Sequence, residues 1–79
     1  MKRNMKRNFV EIRRILLEHL AEGKTTINEL SKKSGVNWKT ASKHLIFLVG
    51  KGLARIVIDT EYVKIYELSD KGKEILENN

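Results

Sequence analysis

The spacing of hydrophobic positions divides the chain into helical and extended segments. Between Phe9 and Glu22, apolar residues recur at intervals of three and four, which is the period of an amphipathic helix. Asn8 is suited to cap the start of this helix, and Gly23 is suited to end it. The apolar stripe is wide for so small a chain, so part of it is expected to face a second subunit.

Two further helices are predicted in the middle of the chain. The first is the short segment ELSKKS, capped by Asn28 and ended by Gly35, with Leu30 facing inward. The second runs from its cap, Asn37, to Gly50. Glycine at the turn between them supplies backbone angles that other residues rarely adopt. This tight pair of helices has the form of a helix-turn-helix unit.

The second of these helices has an apolar and a polar side. Ala41, Leu45 and Leu48 share the apolar side, and Val49 and Ile46 are assigned to it as well. The polar residues Lys39, Thr40, Ser42 and Lys43 fall on the other side.

After this helix the period changes to that of strands. Segments 53–58 and 62–68 are rich in β-branched and aromatic residues, and Asp59-Thr60-Glu61 between them indicates a hairpin turn. Residues 24–27 are also extended in character and would add a third strand. Ser69 then caps a last helix. We expect an α+β, mainly helical fold: one domain over residues 9–79, with three helices, an antiparallel hairpin of two or three strands and a C-terminal helix.

Composition narrows the class of protein. The 79 residues include no cysteine, which excludes disulfides and thiolate metal sites, and 41% of them are hydrophobic, enough for a globular core. No apolar run approaches the roughly 20 residues that span a bilayer. We therefore expect a soluble, cytoplasmic chain without a cofactor, metal or small-molecule site.

The charge is unevenly distributed along the chain. Residues 1–55 carry 13 Lys and Arg against 4 Asp and Glu, whereas residues 56–79 carry 3 against 6. The basic segment of residues 1–55 is suited to binding a polyanion, because the neutralisation of phosphates releases counterions. The alternative is a solvated, charge-rich surface with no ligand, and the charge count does not decide between the two.

The first eight residues, MKRNMKRN, form a tandem duplication with four positive charges and no acid. They can act as a basic arm along a DNA backbone, or they can be a frayed terminus. The sequence leaves both interpretations open.

The helix of residues 37–50 carries the strongest functional pattern. It has Lys39 and Lys43 on its polar side and no acidic residue. Asn37, Thr40 and Ser42 add side chains that can reach phosphates or base edges. The positive end of the helix dipole would favour a backbone phosphate at its start.

The segments TINELSKKSGVNWKTASKHLIFLVGKGLARI and YELSDKGKEIL together resemble the winged helix-turn-helix regulators of bacteria and archaea, of the MarR, ArsR and PadR kinds. The resemblance covers about residues 9–77. It implies that helix 37–50 enters the DNA major groove, and it puts Ala41, Leu45, Leu48 and Leu53 in the core. The DNA contacts that it implies in this helix are Asn37, Trp38, Lys39, Thr40, Ser42 and Lys43.

Two departures from the family pattern change this expectation. The predicted hairpin occupies the position of the family's wing. Its tip, Asp59-Thr60-Glu61, is acidic where DNA-binding wings usually carry Arg or Lys. Contacts from the wing are therefore expected at its base, from Arg55 and Lys64. The cysteine or histidine metal ligands of ArsR-type sensors are also missing, so the resemblance does not imply that this chain senses a metal.

Three side chains allow a second interpretation. The Trp38 ring can pack on the sugar-phosphate backbone or donate its N–H to a phosphate, or it can lie half-buried over the helix-turn-helix junction, which we favour. His19 and His44 are expected to be surface or partly buried residues, since a metal site needs three or four convergent ligands.

Nothing in the sequence indicates an enzyme.

The sequence thus predicts a transcriptional regulator that binds double-stranded DNA sequence-specifically, as a homodimer formed through helix 9–22, the C-terminal helix or both. An alternative is a winged-helix protein-interaction module within a larger assembly, which the acidic wing and C-terminal third would suit. Another is a non-specific nucleic-acid or chromatin-coating protein.

Overall fold

Four helices and one hairpin make up the protein in the computed structural model, which describes residues 8–78. In chain order the elements are α1 (Phe9–Leu20), α2 (Ile27–Ser34), α3 (Trp38–Gly50), β1 (Ala54–Asp59), β2 (Lys64–Leu68) and α4 (Asp70–Glu77). The predicted α+β fold is confirmed. None of these helices is both long and apolar enough to span a bilayer.

Polar caps define where the helices start. Asn8 and Glu11 form a reciprocal capping box, in which the Asn8 side chain accepts from the Glu11 amide at 2.8 Å. Helix α2 begins earlier than predicted, because Thr26 and not Asn28 is its cap. Thr26 has extended backbone angles, and its hydroxyl oxygen accepts from the Glu29 amide at 3.2 Å. Asn28 therefore lies within the first turn of α2.

The turn between α2 and α3 is held by a glycine and by short hydrogen bonds. Gly35 has a φ of 76°, in the left-handed region that favours glycine. The Ser31 hydroxyl donates to the Val36 carbonyl at 2.6 Å, and the Val36 amide donates to the Ser34 hydroxyl at 3.2 Å. Val36 itself is buried. The direction in which α3 leaves α2 is thus fixed by backbone and side-chain contacts together.

The hairpin is antiparallel, with Ala54 opposite Leu68 and Asp59 opposite Lys64. Its register shifts between Ile56 and Ile58, which places a bulge there. The predicted third strand is reduced to one bridge: Thr25 and Tyr66 exchange two backbone hydrogen bonds, of 2.9 and 2.8 Å. The loop also lies later than the predicted turn, since Asp59 still belongs to β1 and the Thr60 amide donates to the Val63 carbonyl.

The core lies where α1, α2 and α3 meet the base of the hairpin. Its fully buried large side chains are Leu16, Leu20, Leu30, Leu45 and Leu48. The core positions predicted in and after α3 are confirmed, with Ala41 completely buried and Leu53 9% exposed. Ile46 was assigned to the same face, and this is wrong: its side chain is 71% exposed. At 100° per residue, Ile46 lies about 150° around the helix from the centre of the buried face.

The contact between α1 and α3 is built around His44. This side chain is only 6% exposed, so the prediction of a surface or partly buried histidine is wrong for this residue. Arg13 explains the burial: its Nε donates to His44 Nδ1 at 3.2 Å, and its guanidinium stacks 3.6 Å from the Phe47 ring centroid. The Phe9 ring meets the imidazole edge-on at 5.1 Å. Accepting from Arg13 requires a neutral imidazole with its proton on Nε2.

The neutral form of His44 makes the stability of the fold dependent on pH. Burial, then the charges of Arg13 and Lys43, lower the pKa of His44 below its ordinary 6.5. The unfolded chain then binds more protons, so the free energy of unfolding should fall as the pH drops below about 6.5. Urea unfolding at pH 7.5 and 5.5 should show a smaller loss of stability for His44→Gln than for the unmodified chain. Equal losses in both would contradict the prediction.

Gly72 in α4 packs against the base of the hairpin. A Cβ at this position would collide with the Leu53 carbonyl and approach the Leu68 Cδ1 to 2.6 Å. Although alanine favours helices, Gly72→Ala should therefore destabilise the protein by about 1–3 kcal/mol, measured by urea unfolding. Gly50→Ala is the matched control, because a Cβ at Gly50 meets nothing within 4 Å. Equal stability of the two variants would show that the close contact is not as tight as described.

Candidate nucleic-acid interface

Helix α3 buries one side and presents the other to solvent. At 100° per residue, its four buried residues cluster on one side of the helix. The opposite side consists of the exposed residues Lys39, Lys43, Ile46 and Gly50. Neither lysine takes part in any of the ion pairs found among residues 8–78. Both positive charges of this face are therefore available to an external anion.

The start of α3 adds further positive potential. Asn37 caps the helix, its side-chain oxygen accepting from the Thr40 amide at 2.9 Å, and the first turn contains no acidic residue. The carboxamide oxygen of Asn37 is thus engaged inside the protein, while its exposed amide group still offers N–H donors. The remaining N–H groups of the first turn favour an anion at this end.

Thr40 and Ser42 lie on the two flanks of α3 and not at its centre. Both side chains are half-buried, whereas Lys39 and Lys43 are exposed. Ser42 turns toward the wing, the hairpin of β1 and β2, where it lines a cleft. Of the six predicted contacts in this helix, the two lysines have the most open positions on the outward face.

The cleft between α3 and the wing has a volume of about 430 Å³. Its walls are the start of α2, the flank of α3 and the residues around the wing loop, namely Thr26, Ile27, Asn28, Trp38, Ser42, Ile46, Tyr62, Val63, Lys64 and Tyr66. Trp38 is 52% exposed and stands next to the first residues of α2. The Trp38 ring is therefore more exposed than the half-buried packing that the sequence favoured, and it is accessible from the cleft side of α3.

The two cations predicted at the base of the wing are paired with acids, and the predicted location is wrong for Lys64, which stands opposite Asp59 next to the loop. Arg55 Nε lies 2.7 Å from a Glu67 carboxylate oxygen, and Lys64 Nζ lies 3.9 Å from Asp59. Because side chains alternate along a strand, Arg55 points away from the sheet face that Tyr66 presents to the cleft. Lys64 does line the cleft. The structure therefore brings Lys64 near α3 and separates Arg55 from it.

Sequence reasoning missed two exposed apolar residues at this site, Ile46 on α3 and Tyr62 in the wing loop, which are 71% and 90% exposed. Measuring the angle of Ile46 from the centre of the Ala41, Leu45 and Leu48 face would have found the first. Nothing in the local pattern signals the second. The basic arm lies, apart from Asn8, outside the described residues. Within residues 8–78, no three potential His, Cys, Asp or Glu ligands converge on a metal site.

The family of the chain follows from its match to a family model described as winged helix-turn-helix, which extends over residues 6–79. The chain belongs to the winged helix-turn-helix family. No curated protein sequence matches it significantly.

Solved winged-helix structures superpose well on this chain. A DNA-binding protein of Sulfolobus solfataricus, Sso10a-2, is 32% identical, with a TM-score of 0.79 over 91% of this chain and 74% of its own. The transcriptional regulator BldR of the same organism and ZitR of Lactococcus lactis are each 21% identical, both with TM-scores of 0.77 over 86% of this chain. At that identity they show the fold alone. The chain spans about half the length of BldR and ZitR.

Proposed function

We propose that this winged-helix protein binds double-stranded DNA sequence-specifically as a transcriptional regulator, with α3 in the major groove. The observation that carries this proposal is the outward face of α3, where Lys39 and Lys43 stand exposed and one turn apart beside the positive end of the helix, outside every ion pair found among residues 8–78. A B-DNA major groove about 12 Å wide admits a helix of this kind. The description of Sso10a-2 as a DNA-binding protein supports the same ligand.

Within this proposal the residues have different roles. Lys39 and Lys43 neutralise phosphates, which gives affinity without reading sequence. Asn37, through its amide group, and Ser42 are placed to reach base edges or sugar-phosphate groups on either side of that contact, and Trp38 packs against the backbone. Thr40 is a weaker candidate because it lies on the flank of α3 opposite Ser42, away from the cleft. Lys64 is the better wing contact and Arg55 the poorer, since Glu67 neutralises Arg55 on the far face of the sheet.

The two lysines provide the direct test. Replacing Lys39 and Lys43 together by alanine should weaken binding to every duplex and reduce the slope of log affinity against log salt by about 1.8, at about 0.9 per phosphate. Fluorescence anisotropy with a labelled duplex over a salt series measures both quantities. The matched control is Lys24→Ala with Lys73→Ala, which removes the same charge beside Glu67, on the other side of the sheet.

An unchanged slope in the α3 variant would remove α3 from the interface, and an equal change in the control would show that the attraction is not specific to α3. Absence of duplex binding at moderate salt by the unmodified chain would favour the protein-interaction module. Equal affinity for a random duplex and for the best selected duplex would favour a coating protein.

We also propose that the protein acts as a homodimer, because a single recognition helix makes few base contacts and a symmetric pair reads two half-sites about 34–36 Å apart. An apolar groove of about 250 Å³ supports this proposal. Its walls include Val10 and Leu17 of α1, Phe47 of α3 and Leu76 of α4. Val10 is 73% exposed beside it. The groove is lined by α1 and α4, the two helices that the sequence analysis predicted as alternative dimer contacts.

A charge in this groove should separate the subunits. Val10→Glu is expected to convert a dimer into a monomer, because a two-fold contact would bury two added carboxylates, and the Arg13 and Arg14 side chains that line the groove would offset only part of the cost. Sedimentation equilibrium measures the mass. Val57→Glu, at an exposed site on the wing, is the matched control and should remain dimeric. A dimer that persists in Val10→Glu would place the contact elsewhere.

A further inference from the structure

Ile46 occupies an unusual position for an isoleucine. It lies on the outward face of α3, one turn after Lys43, with 71% of its surface exposed. No element of residues 8–78 covers it. Scattered exposed apolar residues are common on proteins, but this one belongs to the face that we assign to the major groove, at its edge beside the wing.

Ile46 lies beside a cleft whose lining is partly apolar and partly polar. It lines the cleft that Trp38, Tyr62 and Val63 also line, and these three side chains are 52%, 90% and 40% exposed. The charges on its own face belong to lysines and not to carboxylates. The outward face thus combines two phosphate-binding cations with one side chain that can neither donate nor accept a hydrogen bond.

The chemistry of the major groove leaves few partners for such a side chain. Phosphates and most base-edge atoms there are hydrogen-bond donors or acceptors, and the C5-methyl group of thymine is the apolar feature. We propose that Ile46 is a specificity-determining residue that recognises a thymine methyl group in each half-site. This inference rests on the proposed DNA binding by α3.

The size of the effect follows from one methyl group. Removing a methyl that is buried against Ile46 should weaken binding about fourfold, through the loss of one apolar contact. Contacts between lysine and phosphate do not depend on that methyl group. The readout therefore separates Ile46 from the rest of the face.

Deoxyuridine substitution tests this directly, since uracil differs from thymine by the methyl group alone. The best duplex is first selected from a randomised pool with the full chain. Single thymines of that duplex are then replaced one at a time by deoxyuridine, and anisotropy titrations are run with the unmodified chain, Ile46→Ala and Lys39→Ala. We expect one position per half-site at which the unmodified chain loses affinity about fourfold.

At that position, Ile46→Ala should bind the thymine and deoxyuridine duplexes equally. Lys39→Ala should bind both more weakly while keeping the fourfold ratio. Because Ile46 is exposed, Ile46→Ala should melt at the temperature of the unmodified chain, and this check excludes unfolding as the cause. The inference is overturned if no thymine position is sensitive, if Ile46→Ala keeps the ratio, or if selection returns no preferred sequence. Absence of any duplex binding would instead refute the proposed function itself.

Discussion

Ala41 lies completely buried on α3 within the core cluster, and the packing of this small residue orients the rest of the molecule. A larger side chain would push α3 away from its neighbours, and with it the leucines at positions 45 and 48. Once this face is buried, the helical period leaves Lys39, Lys43 and Ile46 no direction except outward. The left-handed turn at Gly35 then fixes the angle at which that outward face is presented.

The electrostatics of the protein are more local than its net charge of +6 suggests. On the wing, Arg55 and Lys64 are matched with Glu67 and Asp59, so that element contributes little attraction for a polyanion. The lysines of α3 have no such partners among the described residues. Of these two elements, α3 would therefore attract a phosphate backbone more strongly, and the wing would have to contribute through shape and apolar contact.

Two exposed apolar surfaces occur at different places in the fold, and their neighbours distinguish them. The groove of α1, α3 and α4 includes Val10 and Leu76 and adjoins core side chains, as expected of a surface that a second copy would cover. The cleft beside Ile46 instead opens between the lysine face and the wing. Their separation would let DNA binding and self-association proceed together. His44 connects the two regions, because its contact with Arg13 ties α3 to the helix that carries Val10.

The sequence by itself determined the elements, most caps and most of the core. Local signals sufficed for these features, such as asparagine before α1 and α3, glycine after α2 and leucines at helical spacing, whereas α1 ends at Leu20 and not at the predicted Gly23. The tertiary structure decided the start of α2, where Thr25 pairs with Tyr66 and so keeps Thr26 extended as the cap. It also decided the burial of His44 by Arg13, the neutralisation of Arg55 by Glu67, and the exposure of Ile46. The pairings of His44 and Arg55 join residues 31 and 12 positions apart, beyond the reach of any local pattern.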